Sequence, residues 1–137
     1  MKSNECLNES EKHRTRLVVI CSPTATGKTR LAIELAEAVG GEIVNADSLQ
    51  VYRYLNIGTA KPTREERARV PHHLIDVVDP DEEFNAAIYA GQARAVIDRL
   101  FHAGKPVFVV GGTGLYIRAL LQGMIETPPV DENIRNY

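Results

Sequence analysis

Leu17-Val18-Val19-Ile20-Cys21-Ser22-Pro23-Thr24-Ala25-Thr26-Gly27-Lys28-Thr29 is the stretch on which the fold turns. Its first five residues are an unbroken apolar run rich in β-branched side chains, the pattern of a strand covered on both faces. The next eight are small and polar. Beyond them Leu31, Ala32, Leu35, Ala36 and Val39 recur at helical spacing until Gly40-Gly41 ends the pattern. Strand, loop and helix in that order predict a parallel α/β unit.

Glu42-Ile43-Val44-Asn45-Ala46 reads as a second strand that delivers Asp47 and Ser48 to its carboxyl end, where open α/β sheets place ligands. From Tyr52 to Pro71 the pattern is irregular and polar, a long functional loop with room for a short helix over Arg64 to Arg69. His73 to Val78 reads as a further short strand. Asp79-Pro80 then forces a turn and Asn85 caps a helix whose apolar face is Ala86, Ala90, Ala93, Ile97, Leu100 and Phe101. Gly104 and Pro106 end that helix, and Val107 to Val110 follow as another buried strand. It runs into Gly111-Gly112-Thr113-Gly114 and a helix carrying Leu115, Ala119 and Leu120. The division expected is a polar tail over 1–15, one α/β domain over 16–124, and the start of a truncated remainder over 125–137.

Composition narrows the function classes. The 137 residues suffice for one core, and 44% apolar with 25% charged residues is the balance of a folded chain. Sixteen Lys plus Arg against eighteen Asp plus Glu give a net charge of −2, so no global basic field draws in nucleic acid, and any such partner is held locally. Cys6 and Cys21 have no metal-site spacing, and a reduced, cytoplasmic protein is expected. Residues 1–15 lack the apolar core of a signal peptide and no apolar run is long enough to span a bilayer, so no membrane partner is expected.

The loop Ser22 to Thr29 follows the phosphate-binding pattern GxxxxGK[ST], with Ser22 in place of the first Gly. Amides from Ala25 to Thr29 at a helix N-terminus form a concave anion site, and Gly27 lets the backbone approach a ligand. Lys28 supplies a point charge to a diphosphate, and the Thr29 hydroxyl is placed to ligate Mg²⁺. The motif does not choose among nucleoside triphosphatases, kinases and other diphosphate chemistries. Because Val107 to Val110 end in glycines rather than an acidic residue, Asp47 and Asp76 are the substitutes for a metal-binding Asp. Asp47 is placed as a general base, and an Asp there also suits the capping of the next turn. Thr113 can offer a hydroxyl and an amide to an oxyanion, or cap its helix. His72 and His73, neighbours in an extended segment, point to opposite faces and cannot chelate one ion together. Lys61, Arg64, Arg67 and Arg69, interleaved with Glu65 and Glu66, have the pattern of a solvated helix face more than of a nucleic-acid contact.

Ser22-Pro-Thr-Ala-Thr-Gly-Lys-Thr29, Asp47-Ser-Leu-Gln50, Ile57-Gly-Thr-Ala-Lys-Pro62, Pro71-His-His-Leu-Ile-Asp76 and Gly111-Gly-Thr-Gly-Leu-Tyr-Ile117, in this order, resemble the tRNA dimethylallyltransferase (tRNA isopentenyltransferase) family. The resemblance covers Leu17 to about Pro129 and implies a P-loop NTPase-like three-layer α/β fold with a mainly parallel sheet, here incomplete. It implies Mg²⁺-dependent transfer of a dimethylallyl group from dimethylallyl diphosphate to N6 of the adenosine 3′ of the anticodon, in a cytoplasmic monomer whose partner is tRNA. Ser22, Pro23, Thr24, Ala25, Thr26, Gly27, Lys28 and Thr29 would then bind the diphosphate, with Thr29 on the metal and Lys28 stabilising the leaving group. Asp47 would be the general base; Asp47, Ser48, Leu49, Gln50 and Thr113 would contact tRNA, Thr113 also supporting catalysis. Family members run to roughly twice this length, so an inactive diphosphate-binding fragment is one alternative. An adenylate isopentenyltransferase and a small-molecule P-loop kinase are the others.

Overall fold

The structure is a computed structural model that describes residues 16–21, 27–56 and 60–124. Its elements are β1 (Leu17–Cys21), α1 (Lys28–Val39), β2 (Glu42–Asn45), α2 (Arg64–Arg69), β3 (His72–His73), α3 (Ala86–His102), β4 (Val107–Gly111) and α4 (Gly114–Met124). The strands form one sheet in the order β1-β4-β2-β3, all neighbours parallel. Leu17 pairs with Val107, Glu42 with the same Val107, and Ile43 with His72. All carboxyl ends therefore lie along one edge, carrying Cys21, Gly111 and Asn45.

Side-chain alternation divides the apolar residues between the two faces. Ile43, Phe108 and Val110 pack with Ala32, Ile33 and Ala36 of α1 and with Val70 on one side. Val44, Val107 and Val109 pack with Tyr89, Ile97 and Leu120 of α3 and α4 on the other. The result is the expected three-layer α/β arrangement. Local signals agree with it: the Asn85 side chain accepts from the Ile88 amide at 2.9 Å to cap α3, and Gly40 closes α1 in the left-handed region at φ 70°. A reciprocal Thr63–Glu66 capping box opens α2.

Three expectations change. Among the described residues β1 is not covered on both faces: it stands at the edge of the sheet, and Val18 and Cys21 are exposed. For the same reason α1, seated over β4 and β2, buries Ala32, Ile33 and Ala36, while Leu31, Leu35 and Val39 of the apolar stripe stay exposed. The third strand is two residues long, because Leu74 (φ 64°) and Asp76 (φ 55°) leave the extended region and cannot continue the ladder. The apolar face of α3 also includes Tyr89, fully buried and stacked on Tyr116 with ring centroids 4.5 Å apart.

At the foot of the sheet the buried Glu42 carboxylate receives His73 Nε2 at 2.7 Å and Lys105 Nζ at 2.6 Å. Burial pushes its pKa up, but the hydrogen bonds from Lys105 and His73 outweigh burial and hold it below the ordinary 4.5. A depressed carboxyl pKa contributes stability that is present above the unfolded value and lost as pH falls through the folded one. Glu42→Gln is therefore expected to flatten the decline in stability on acidification below pH 4.5, checked by urea unfolding across pH. At the other end, a Cβ on Gly111 would collide with the Ala46 backbone. Gly111→Ala is expected to destabilise by roughly 1–3 kcal/mol, read from the same unfolding curves.

Candidate functional site

The carboxyl edge of the sheet opens into a pocket between the start of α1, the ends of β2 and β4, and the segment around Pro62. Lys28, Thr29, Asn45, Asp47, Gln50 and His72 bring polar groups to it; Ala32, Ile43, Pro62 and Ile75 supply an apolar side. This mixture suits a ligand with both a charged and a hydrocarbon part.

Residues predicted from the phosphate-binding pattern are only partly within the described structure: Ser22, Pro23, Thr24, Ala25 and Thr26 lie outside it. Gly27 is the N-cap of α1 in the left-handed region at φ 78°, a conformation glycine adopts without strain. No side chain caps this helix end and no acidic residue sits in its first turn, which leaves the dipole's positive end facing the pocket wall formed by Lys28 and Thr29.

Asp47 follows the end of β2 and is half-buried. Its Oδ1 accepts from the amides of Leu49 at 2.8 Å and Gln50 at 3.2 Å, so the turn-capping role and a place in the pocket coexist. Among the described residues Oδ2 has no hydrogen-bond partner. The Thr113 hydroxyl accepts from the Ser48 amide at 2.9 Å and donates to Ser48 Oγ at 3.3 Å, while the Thr113 amide donates to the Ala46 carbonyl at 3.1 Å. Its side chain thus fastens the Asp47–Gln50 turn rather than capping α4. Gln50 is buried in the pocket wall, with Nε2 donating to the Ala60 carbonyl at 3.2 Å. The Leu49 side chain is exposed and outside the pocket.

Three residues that the sequence did not assign to the site matter here. Asn45, buried at the end of β2, donates from Nδ2 to the carbonyls of Leu74 at 3.0 Å and Asp47 at 3.3 Å. A polar residue at the carboxyl end of a strand, next to Asp47, was its signal. His72 lies on the α1 face, its Nδ1 bonded to the Val70 carbonyl at 2.7 Å and its buried Nε2 unpartnered among the described residues. Burial lowers its pKa despite the Val70 bond, favouring the neutral ring. His73 points the other way, to Glu42, as expected for neighbours in a strand. Lys61 does not lie on a solvated helix face: its side chain is 8% exposed and pairs with Asp76. Asp76 is bonded through both oxygens, to Lys61 and Arg67, and lies outside the pocket, which leaves Asp47 as the carboxylate beside Thr29. Arg69 pairs with Glu37 on α1.

No group of three or more His, Cys, Asp or Glu side chains is arranged to hold a metal among the described residues, and no described helix is long and apolar enough to cross a membrane. The Thr29 hydroxyl makes no hydrogen bond with a described residue and shares the pocket with Asp47. That hydroxyl oxygen fits a hard divalent ion completing its shell with phosphate oxygens.

A parallel α/β sheet whose first helix opens on Gly27-Lys28-Thr29, with a carboxylate from the neighbouring strand end, is a P-loop NTPase-like fold. Residues 50–137 match the family described as IPP transferase and residues 15–78 the family described as isopentenyl transferase. The chain belongs to the IPP transferase family. It is 58% identical over 124 residues to tRNA dimethylallyltransferase 2 of Syntrophus aciditrophicus, covering 90% of this chain and 40% of that protein. The full-length tRNA isopentenylpyrophosphate transferase of Bacillus halodurans superposes with a TM-score of 0.77 at 44% identity, over 89% of this chain and 41% of that one. A eukaryotic dimethylallyltransferase acting on tRNA gives a TM-score of 0.74 at 32% identity, over 87% and 31% of the two chains.

Replacing Thr113 by Val keeps its shape but strands the Ser48 amide. The variant is expected to lose about 1–2 kcal/mol in urea unfolding, whereas Thr113→Ser retains the bond and most of the stability.

Proposed function

We propose that the chain carries the diphosphate-binding and base-activating part of a tRNA dimethylallyltransferase. In the reaction N6 of the adenosine 3′ of the anticodon attacks C1 of dimethylallyl diphosphate. The C1–O bond breaks, diphosphate departs with the bonding electron pair, and the N6 proton passes to the Asp47 carboxylate. The observation that carries this reading is the joint presence of Asp47, Lys28 and Thr29 in one pocket at the sheet's carboxyl edge. The names of the similar proteins support it; the chain spans 40% of the first of them, so the activity of the whole protein is part of the proposal.

An exocyclic amine conjugated to a purine is a poor nucleophile, and a diphosphate leaves well only when its charge is neutralised. Asp47 serves the first need through Oδ2, its Oδ1 being fixed by the turn amides. Lys28 and the N-terminus of α1 serve the second, together with the amides of Thr24 to Thr26 in the proposed diphosphate loop. Thr29 would hold Mg²⁺, which when bound neutralises phosphate charge. Ser48 and Gln50 position the base, and the apolar side made by Ala32, Ile43 and Ile75 accommodates hydrocarbon.

The test is transfer of labelled prenyl from dimethylallyl diphosphate with Mg²⁺, offering unmodified tRNA in one reaction and AMP in another. Transfer to tRNA alone is expected; label on AMP would make the chain an adenylate isopentenyltransferase. Absence of both transfer and diphosphate binding would overturn the proposal. Asp47→Ala is expected to lower transfer by about 10²–10⁴-fold while diphosphate affinity, measured by calorimetry, stays within about twofold.

A further inference from the structure

Outside the pocket, the ammonium of Lys61 is buried and fully engaged. Lys61 Nζ donates to the Tyr52 carbonyl at 2.7 Å, Asn56 Oδ1 at 2.9 Å and Asp76 Oδ1 at 2.5 Å. An ammonium has three donors, and all three are engaged. With its side chain 8% exposed, this lysine is not presented to a phosphate backbone. Its partners come from separate stretches of chain. Tyr52 and Asn56 belong to the loop after the Asp47 turn; Asp76 follows β3 and is also held by Arg67 of α2 at 3.1 Å.

These stretches lead directly into the pocket. The Asp76 amide donates to the Gln50 carbonyl at 3.1 Å, and the Val77 amide to the Val51 carbonyl at 2.9 Å. The Gln50 side chain in turn holds the Ala60 carbonyl, next to Lys61 itself. The loop also contains backbone that relaxes if released: Tyr54 (φ 69°), Ala60 (φ 52°), Leu74 (φ 64°) and Asp76 (φ 55°) are non-glycine residues in the left-handed region, all within the segments that Lys61 joins.

We propose that Lys61 is a positioning residue for the prenyl-transfer reaction: its buried ammonium, bonded at once to Tyr52, Asn56 and Asp76, sets the Gln50–Asn56 segment and thereby holds Asp47 and Gln50 in place in the pocket. The inference rests on the function proposed above. It assigns to Lys61 geometry rather than charge, and the two roles are separable. Arginine keeps the charge but presents a planar fork that cannot reach three partners arranged around a single nitrogen.

The experiment compares the parent chain, Lys61→Met, Lys61→Arg and, as a control for loss of an exposed charge nearby, Arg64→Ala. Initial rates with unmodified tRNA, calorimetric diphosphate affinity and amide hydrogen exchange are measured on each. Expected for Lys61→Met are a fall of about tenfold or more in kcat, diphosphate affinity within about twofold, and faster exchange at the Leu49 and Gln50 amides with α3 still protected. Lys61→Arg should fail to restore kcat, and Arg64→Ala should match the parent. Full rescue by arginine would overturn the proposal in favour of a charge field. A parallel loss of diphosphate affinity and of α3 protection would overturn it in favour of general stability. If the parent neither binds diphosphate nor transfers, the function proposed above falls, and exchange decides the geometry by itself: unchanged Leu49 and Gln50 amides in Lys61→Met would overturn the positioning role.

Discussion

The close approach of Gly111 to the backbone of Ala46 is the contact on which the carboxyl edge of the sheet depends. It brings β4 against β2 at the point where both strands end, with the Ala46 amide bonded to the Val110 carbonyl at 2.8 Å. Two residues beyond Gly111, Thr113 is near enough to tie its amide to Ala46 and its hydroxyl to Ser48. The Asp47 turn, closed by its own carboxylate, is therefore set in place by strand pairing. A side chain at position 111 would push these groups apart at once, because close-packed backbone has nowhere to yield.

Around that fixed edge the structure places its charges in two different ways. In the loop system over the pocket, Lys61, Arg67 and Asp76 form a partly buried network beside backbone in the left-handed region. Each such non-glycine residue costs roughly 1–2 kcal/mol, so the conformation persists because surrounding bonds over-determine it. At the opposite end of the sheet, Glu42 with His73 and Lys105 fastens β2 to β3 and to the end of the α3–β4 connection. By contrast the exposed Arg30–Glu34 pair along α1 contributes little, being screened by solvent.

The apolar surface is uneven in a related manner. Both faces of β2 and β4 are covered, and their residues are buried throughout. The outer strand β1 is not, and the exposed Leu31, Leu35 and Val39 run along α1 beside it. Helical spacing marks which residues share a face, but burial requires something opposite that face. The chain spans 40% of the first relative it matches, and what it shares with that protein includes the site's edge of the sheet.

By itself the sequence determined the element types, their order, and the residues at strand ends, because apolar runs, caps and glycines act through nearest neighbours along the chain. Leu17 to Cys21, Asn85 and the Gly111–Gly114 turn were legible in that way, and so was the arrival of Asp47 at a carboxyl edge. Tertiary structure alone decided that β1 lies at the edge, that Thr113 meets Ser48 across 65 positions, and that Lys61 is buried against Asp76 instead of solvated. A charge has no periodic signature that reveals its partner: whether it is exposed or paired depends on which distant segment the fold brings beside it. Strand order, set by crossovers and by what each face can cover, makes that choice.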